Sequence, residues 1–78
     1  MKFIREFPFE HENVSYNYSR YSKKWEFQVK NTGFTLLEAC KGQKNAHKVA
    51  RIVASAFKRR GYYDNLARSN VDRLLGRA

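Results

Sequence analysis

The chain has 78 residues, 42% of them hydrophobic and 15% aromatic, which suits one small domain with a thin core and not a disordered tail. Sixteen Lys and Arg against seven Asp and Glu give a formal net charge of +9 and a pI of about 10.1. No stretch approaches the about 18 apolar residues of a membrane span, and the charged N-terminal segment is unlike a signal peptide.

The positive charge is concentrated in the middle of the chain. Residues 20–60 contain eleven basic and two acidic residues, a net of +9. Residues 1–19 contain two basic and three acidic residues, and residues 61–78 contain three and two. Because each Lys or Arg on a phosphate releases condensed counterions, this pattern favours a polyanionic partner. A solvated basic surface without a ligand is the alternative.

The residues that usually carry catalysis or metal binding are too few and too scattered. Cys40 is the single cysteine, so it forms no internal disulfide, which favours an intracellular protein that is cytoplasmic or nucleoid-associated. We expect Cys40 to be a half-buried apolar residue. His11 and His47 lack partners at catalytic or zinc-binding spacing. The sequence therefore predicts no enzyme, no metal, no cofactor and no small-molecule substrate.

Residues 1–12 are predicted to form an extended aromatic arm or a short edge strand. Pro8 excludes a helix interior or a central strand here, because proline lacks the backbone N–H. We expect the Phe rings of the arm to lie on the core. Docking of these rings on a protein partner is the alternative.

Residues 13–40 show the alternation of apolar and polar side chains that is typical of strands. The alternation is interrupted twice by polar turns, so we predict a three-stranded antiparallel meander over 13–40. The alternating stretches cover residues 13–21, 25–30 and 34–40.

Residues 44–60 carry the strongest helix pattern in the chain. Apolar residues recur there at helical spacing, so we predict one long helix with an apolar stripe. Asn45 is the predicted N-cap, and Gly61 the predicted stop. The stripe consists of Ala46, Val49, Ala50, Val53 and Phe57.

A short helix over 64–76, capped by Asp64 or Ser69, is predicted to end the chain. Together these elements predict an α+β fold of a single domain over residues 1–78. A three-stranded antiparallel sheet carries one long helix on one face, with a short C-terminal helix beside it, and the other face of the sheet meets water.

Two surfaces are candidates for nucleic-acid binding. Polar side chains on the open sheet face can read base edges in a groove, whereas the basic ridge of the long helix can hold phosphates without reading sequence. A polar solvated sheet face and a solvated cationic helix are the alternatives. Tyr21, Tyr62 and Tyr63 are the exposed candidates for base stacking. The predicted nucleic-acid-binding residues are Arg20, Lys23, Lys24, Gln28, Lys30, Thr35, Lys41, Lys44, Lys48, Arg51, Lys58, Arg59 and Arg60.

The segments KWEFQVK at 24–30 and NAHKVARIVASAFKRRG at 45–61 resemble the three-stranded-sheet-plus-helix DNA-binding domains of plant ethylene-response factors and the arm-type domains of tyrosine recombinases. The resemblance implies that the sheet enters the major groove. Gly42 and residues 47–51 are also similar to the second half of a double-stranded-RNA-binding domain that lacks its first helix. The first resemblance would place Arg20, Lys24, Glu26, Gln28, Lys30 and Thr35 near the duplex.

We therefore predict a small non-enzymatic, regulatory protein that binds duplex nucleic acid, DNA ahead of RNA, and does not bind membranes. One alternative is a phage- or plasmid-type interaction protein that docks on a host protein complex through its Phe-rich arm or terminal helix. The other is an RNA-binding subunit of a ribonucleoprotein.

Overall fold

The computed structural model describes residues 7–77, which form an antiparallel sheet followed by two helices. The strands are hydrogen-bonded in chain order, β1-β2-β3-β4. This arrangement confirms the α+β class. The strands are β1 (Phe9–His11), β2 (Val14–Ser19), β3 (Lys24–Val29) and β4 (Thr35–Glu38), and the helices are α1 (Gln43–Arg60) and α2 (Asn65–Leu74).

The predicted three-stranded sheet is wrong by one strand, because Phe9–His11 adds a fourth at the edge. Phe9 lies opposite Tyr16 in the register of β1 and β2, and their rings stack with centroids 5.5 Å apart. Such cross-strand aromatic pairs stabilise a sheet. Pro8 directly precedes β1, where its missing N–H breaks no ladder hydrogen bond. The first half of the predicted arm, residues 1–6, lies outside the described residues.

The core lies between one face of the sheet and α1. Side chains of the sheet and of the helix stripe are buried together there, as the two periodicities predict. Tyr18 differs from its neighbours on that face, since 43% of it is exposed where β2 runs beyond the helix. The central buried residues are Val14, Tyr16, Trp25, Phe27 and Val29 from the sheet and Ala46, Val49, Ala50 and Val53 from α1.

The prediction that Asn45 caps α1 is wrong, because the helix begins earlier. Gly42 is the N-cap, and its carbonyl accepts the Ala46 N–H at 3.1 Å. Ala46 is fully buried and begins the apolar stripe of α1. Gly61 ends α1 as predicted. Its φ of 77° is left-handed, a conformation that favours glycine, and its N–H donates to the Phe57 carbonyl at 2.9 Å.

Asp64 is the residue that starts α2, which decides between the two predicted caps. Its Oδ1 accepts the Ala67 N–H at 2.9 Å, and its two carboxylate oxygens accept hydrogen bonds of 3.0 and 2.8 Å from Arg59. The hydrogen bond from Arg59 and then that from Ala67 lower the pKa of Asp64 from its usual 3.8. Asp64 therefore joins the end of α1 to the start of α2.

Asp64→Ala should reduce the free energy of unfolding near neutral pH, and its difference from the wild type should shrink in acid. Because the folded-state pKa lies below 3.8, the ionised carboxylate stabilises the fold above that pH, and this contribution is lost as the pH falls through the lowered pKa. Urea unfolding between about pH 7 and about pH 2.5 measures the difference. Ser69→Ala, at the alternative cap, should have little effect, and a pH-independent deficit for Asp64→Ala would contradict the assignment.

Candidate nucleic-acid interface

The β2–β3 turn and the N-terminus of α1 lie at the same end of the molecule. β4 ends at Glu38, opposite Trp25 near the start of β3, and only residues 39–42 separate it from α1. The hydroxyl of Tyr16 fixes this arrangement, since Gln43 Nε2 donates to it at 3.2 Å and His47 Nδ1 lies 2.9 Å from it. We call residues 19–24 and 39–44 together the turn end.

Away from the turn end, several basic side chains are neutralised by acidic ones. Lys58 donates to Glu12 at 2.9 Å, and this bond lowers the pKa of Glu12. Arg60 lies 3.9 Å from Asp64, which also binds Arg59. Four of the predicted site residues are therefore already in ion pairs: Lys30, Lys58, Arg59 and Arg60.

The remaining predicted cations lie at the turn end and on the outer side of α1. Within residues 7–77, none of them has an acidic partner within 4.0 Å. Lys44, Lys48 and Arg51 follow one another at helical spacing and point away from the buried stripe of α1. We call the seven residues the cationic surface: Arg20, Lys23, Lys24, Lys41, Lys44, Lys48 and Arg51.

The N-terminus of α1 adds positive potential to this surface. Gly42 supplies no side-chain cap, the first turn contains no acidic residue, and Lys44 stands in that turn. The unpaired N–H groups of a helix start carry partial positive charge, so an acidic residue there is stabilising and a lysine is not. Lys44 therefore stands where helix stability favours an acidic residue. Such conflicts between local stability and the observed residue are typical of surfaces that bind a ligand.

The open face of the sheet carries balanced charge among the described residues. Lys30 donates to Glu10 at 2.7 Å, and Glu26 is buried while Lys24 is exposed. Gln28 lies between Ser15 and Thr35 in the sheet register. Because α1 covers the opposite face, Gln28 and Thr35 point away from Lys44, Lys48 and Arg51. The centre of the open sheet face and the row on α1 therefore face opposite directions, and Lys24 lies at the turn end of the open face by register.

A groove of about 380 Å³ between α1 and α2 extends the cationic surface. Lys48, Arg51 and Arg59 lie at its α1 side, and Asn70 contributes an amide from α2. Ser55 adds a hydroxyl. All of the charged side chains that line this groove are basic, so it is suited to an anionic group such as a phosphate oxygen.

The predicted stacking tyrosines differ in exposure. Tyr21 is 98% exposed at the tip of the β2–β3 turn, and Tyr62 is 56% exposed just after α1. Tyr63 instead buries its hydroxyl, which finds no hydrogen-bond partner in the part of the chain that the structure describes. Burial raises the pKa of Tyr63 to about 12. Tyr63 is therefore not a stacking candidate.

The two histidines and the cysteine lie in different surroundings. The rings of His11 and His47 meet edge to face at 5.2 Å, and Cys40 is half-buried. No three His, Cys, Asp or Glu side chains between residues 7 and 77 are placed to hold a metal ion. Neither α1 nor α2 is long and apolar enough to cross a membrane.

Comparison with known protein families, with curated proteins and with solved structures found no match. The interpretation of the interface therefore depends on the charges and geometry of this chain.

Cys40 should react slowly with thiol reagents in the folded protein. Burial, and then the charge of Glu38, raises the pKa of its thiol from 9.0 to about 11, which reduces the thiolate fraction at pH 8 about 100-fold. Alkylation by iodoacetamide near pH 8, with and without denaturant, measures the difference. Equal rates in the two states would contradict the buried environment of Cys40.

Proposed function

We propose that this protein is a non-enzymatic module that binds duplex nucleic acid, DNA in preference to RNA, by holding phosphates on the cationic surface. One observation carries the proposal. The acidic partners lie where they neutralise Lys30, Lys58, Arg59 and Arg60, and seven cations without such partners share the turn end and the outer side of α1. Such a protein would act in the cytoplasm or on the nucleoid, where duplex DNA is present.

The mechanism is phosphate anchoring by five exposed ammonium groups and two guanidinium groups. Lys44, Lys48 and Arg51 form a row along α1 that can follow a sugar-phosphate backbone. Each phosphate contact releases condensed counterions, and a set of seven contacts corresponds to a slope of about −6 in log affinity against log salt concentration. Contacts of this kind fix the position of the protein on the duplex and are independent of base sequence.

The shape of the turn end favours B-form DNA over A-form RNA. A hairpin turn and the first turns of a helix protrude there. The major groove of B-DNA, about 12 Å wide, admits an element of that size, whereas the major groove of A-form RNA is deep and narrow. Ser19 and Lys24, opposite each other in β2 and β3, are the sheet residues nearest to a groove entered in this way. A protein that occupies DNA without acting on it fits a regulatory role.

Removing the α1 row should weaken DNA binding and flatten its salt dependence. The triple variant Lys44→Gln, Lys48→Gln, Arg51→Gln loses about three phosphate contacts, so the salt slope should fall in magnitude by about 2 to 3. Fluorescence anisotropy with a labelled duplex over a range of salt concentrations gives the slope. The same titration with an RNA duplex of equal length should give weaker binding.

A charge-matched control separates the proposed surface from net charge alone. The triple variant Lys30→Gln, Lys58→Gln, Arg73→Gln removes the same charge from outside the cationic surface, and its slope should change by less than about 1. Both variants replace exposed side chains, and circular dichroism confirms that they fold. Equal losses in the two variants, or no duplex binding by the wild type at low salt, would refute the proposal.

A further inference from the structure

Tyr21 is an aromatic side chain that the fold does not use. It is 98% exposed at the tip of the β2–β3 turn, so its ring contributes no buried area to the core. Arg20 and Lys23 flank it closely in sequence and belong to the cationic surface. An aromatic ring between phosphate-binding cations is the combination that binds bases in single-strand-binding proteins.

A pocket of about 380 Å³ opens beside Tyr21. Tyr21, Tyr18 and Phe7 line it with aromatic surface, and Asn17 and Ser19 add polar groups. The buried carboxyl side chain of Glu26 also lines it and can accept a hydrogen bond from an amino group on a base edge. This volume lies within the roughly 300–1,000 Å³ of typical small-ligand sites. The pocket therefore combines stacking surface with hydrogen-bonding groups next to the cations that would hold a phosphate.

One wall of this pocket is held in place by the core. Trp25 is buried, and its ring meets that of Tyr18 at 5.8 Å with an interplanar angle of 66°. Trp25 in turn contacts Tyr16, with centroids 6.1 Å apart. Tyr18 is thus the half-exposed end of a row of packed rings, and a ligand that stacks near it meets a surface that is already ordered.

The groups around the pocket match the chemistry of a nucleobase. Every base has a π-face that stacks on tyrosine, which makes such binding tolerant of sequence. The Asn17 amide both donates and accepts hydrogen bonds, and the Ser19 hydroxyl does the same, as base edges require. Arg20, which also lines the pocket, can reach the phosphate of the same nucleotide.

We propose that this pocket accepts an unpaired nucleobase, stacked on Tyr21, while the adjoining duplex lies on the cationic surface. The inference rests on the proposed function and names its preferred substrate, a DNA duplex that contains an unpaired base. A base in a continuous duplex must first be unstacked before it can enter a pocket, and a base that is already unpaired avoids most of that cost.

The test compares two DNA duplexes that differ by one unpaired adenine at the centre. Wild-type protein should bind the bulged duplex at least about fivefold more tightly, the lower end of what one base–aromatic stack contributes. Tyr21→Ala should abolish this preference, so that both duplexes bind equally, and Tyr21→Phe should retain it. Tyr62→Ala is the matched control, because it removes another exposed tyrosine (56%) from the far end of α1.

A second measurement reports the stack directly. With 2-aminopurine as the unpaired base, wild-type protein should quench its fluorescence and Tyr21→Ala should not. If the wild type binds both duplexes equally, or if Tyr21→Ala keeps the preference, the inference is overturned while binding of the paired duplex still supports the proposed function. If neither duplex is bound, the proposed function itself fails, and this inference fails with it.

Discussion

The packing of α1 on the apolar face of the sheet determines where the charges of this protein point. The stripe around Val49 and Val53 must face the sheet because those side chains are fully buried there. The polar contacts of Gln43 and His47 with the buried Tyr16 then fix the position of α1 along the strands. Once the rotation and position of the helix are set, Lys44, Lys48 and Arg51 can only face water.

A net charge of +9 on 78 residues opposes folding through self-repulsion, and the structure relieves part of it selectively. Lys58 meets Glu12 from the β1–β2 turn, and Arg77 meets Glu38 at 2.8 Å. Individual exposed ion pairs stabilise a protein by little, often under about 1 kcal/mol. Their main consequence here is the pattern of charge. They leave the turn end and the outer side of α1 with the largest group of cations that lack an acidic partner among the described residues.

Sequence reasoning succeeded where the signal is local. The alternation around Trp25 and Phe27 predicted the buried face of β3, and Gly61 predicted the end of α1, because each depends on a few neighbouring residues. For residues 1–12 it left an arm and a short edge strand open, and it counted three strands, because the pairing of Phe9 with Tyr16 depends on a cross-strand contact. It also failed at Asn45, because α1 begins at Gln43 and Asn45 lies inside its first turn.

The sequence predicted which basic residues could form the candidate site, but it did not predict which of them are paired with acidic residues in the fold. The basic residues between 20 and 60 are visible in the sequence, yet nothing local distinguishes Lys48, without an acidic partner, from Lys58, whose partner Glu12 lies 46 residues away. Tyr18 alternates with the buried Val14 and Tyr16 along β2, yet it is 43% exposed. Long-range register, which no short window contains, decides both cases.

Stability and ligand binding make opposite demands on the N-terminus of α1. A helix start is stabilised by a polar cap and by acidic residues, and this one has Gly42, Lys41 and Lys44 instead. The N-terminus of α2 has the usual stabilising features, because Asp64 caps that helix and binds Arg59. The same sequence thus builds one helix start for stability and another that presents uncancelled positive charge. A phosphate at the second would supply the negative charge that the helix start lacks, so that binding would stabilise the element that does the binding.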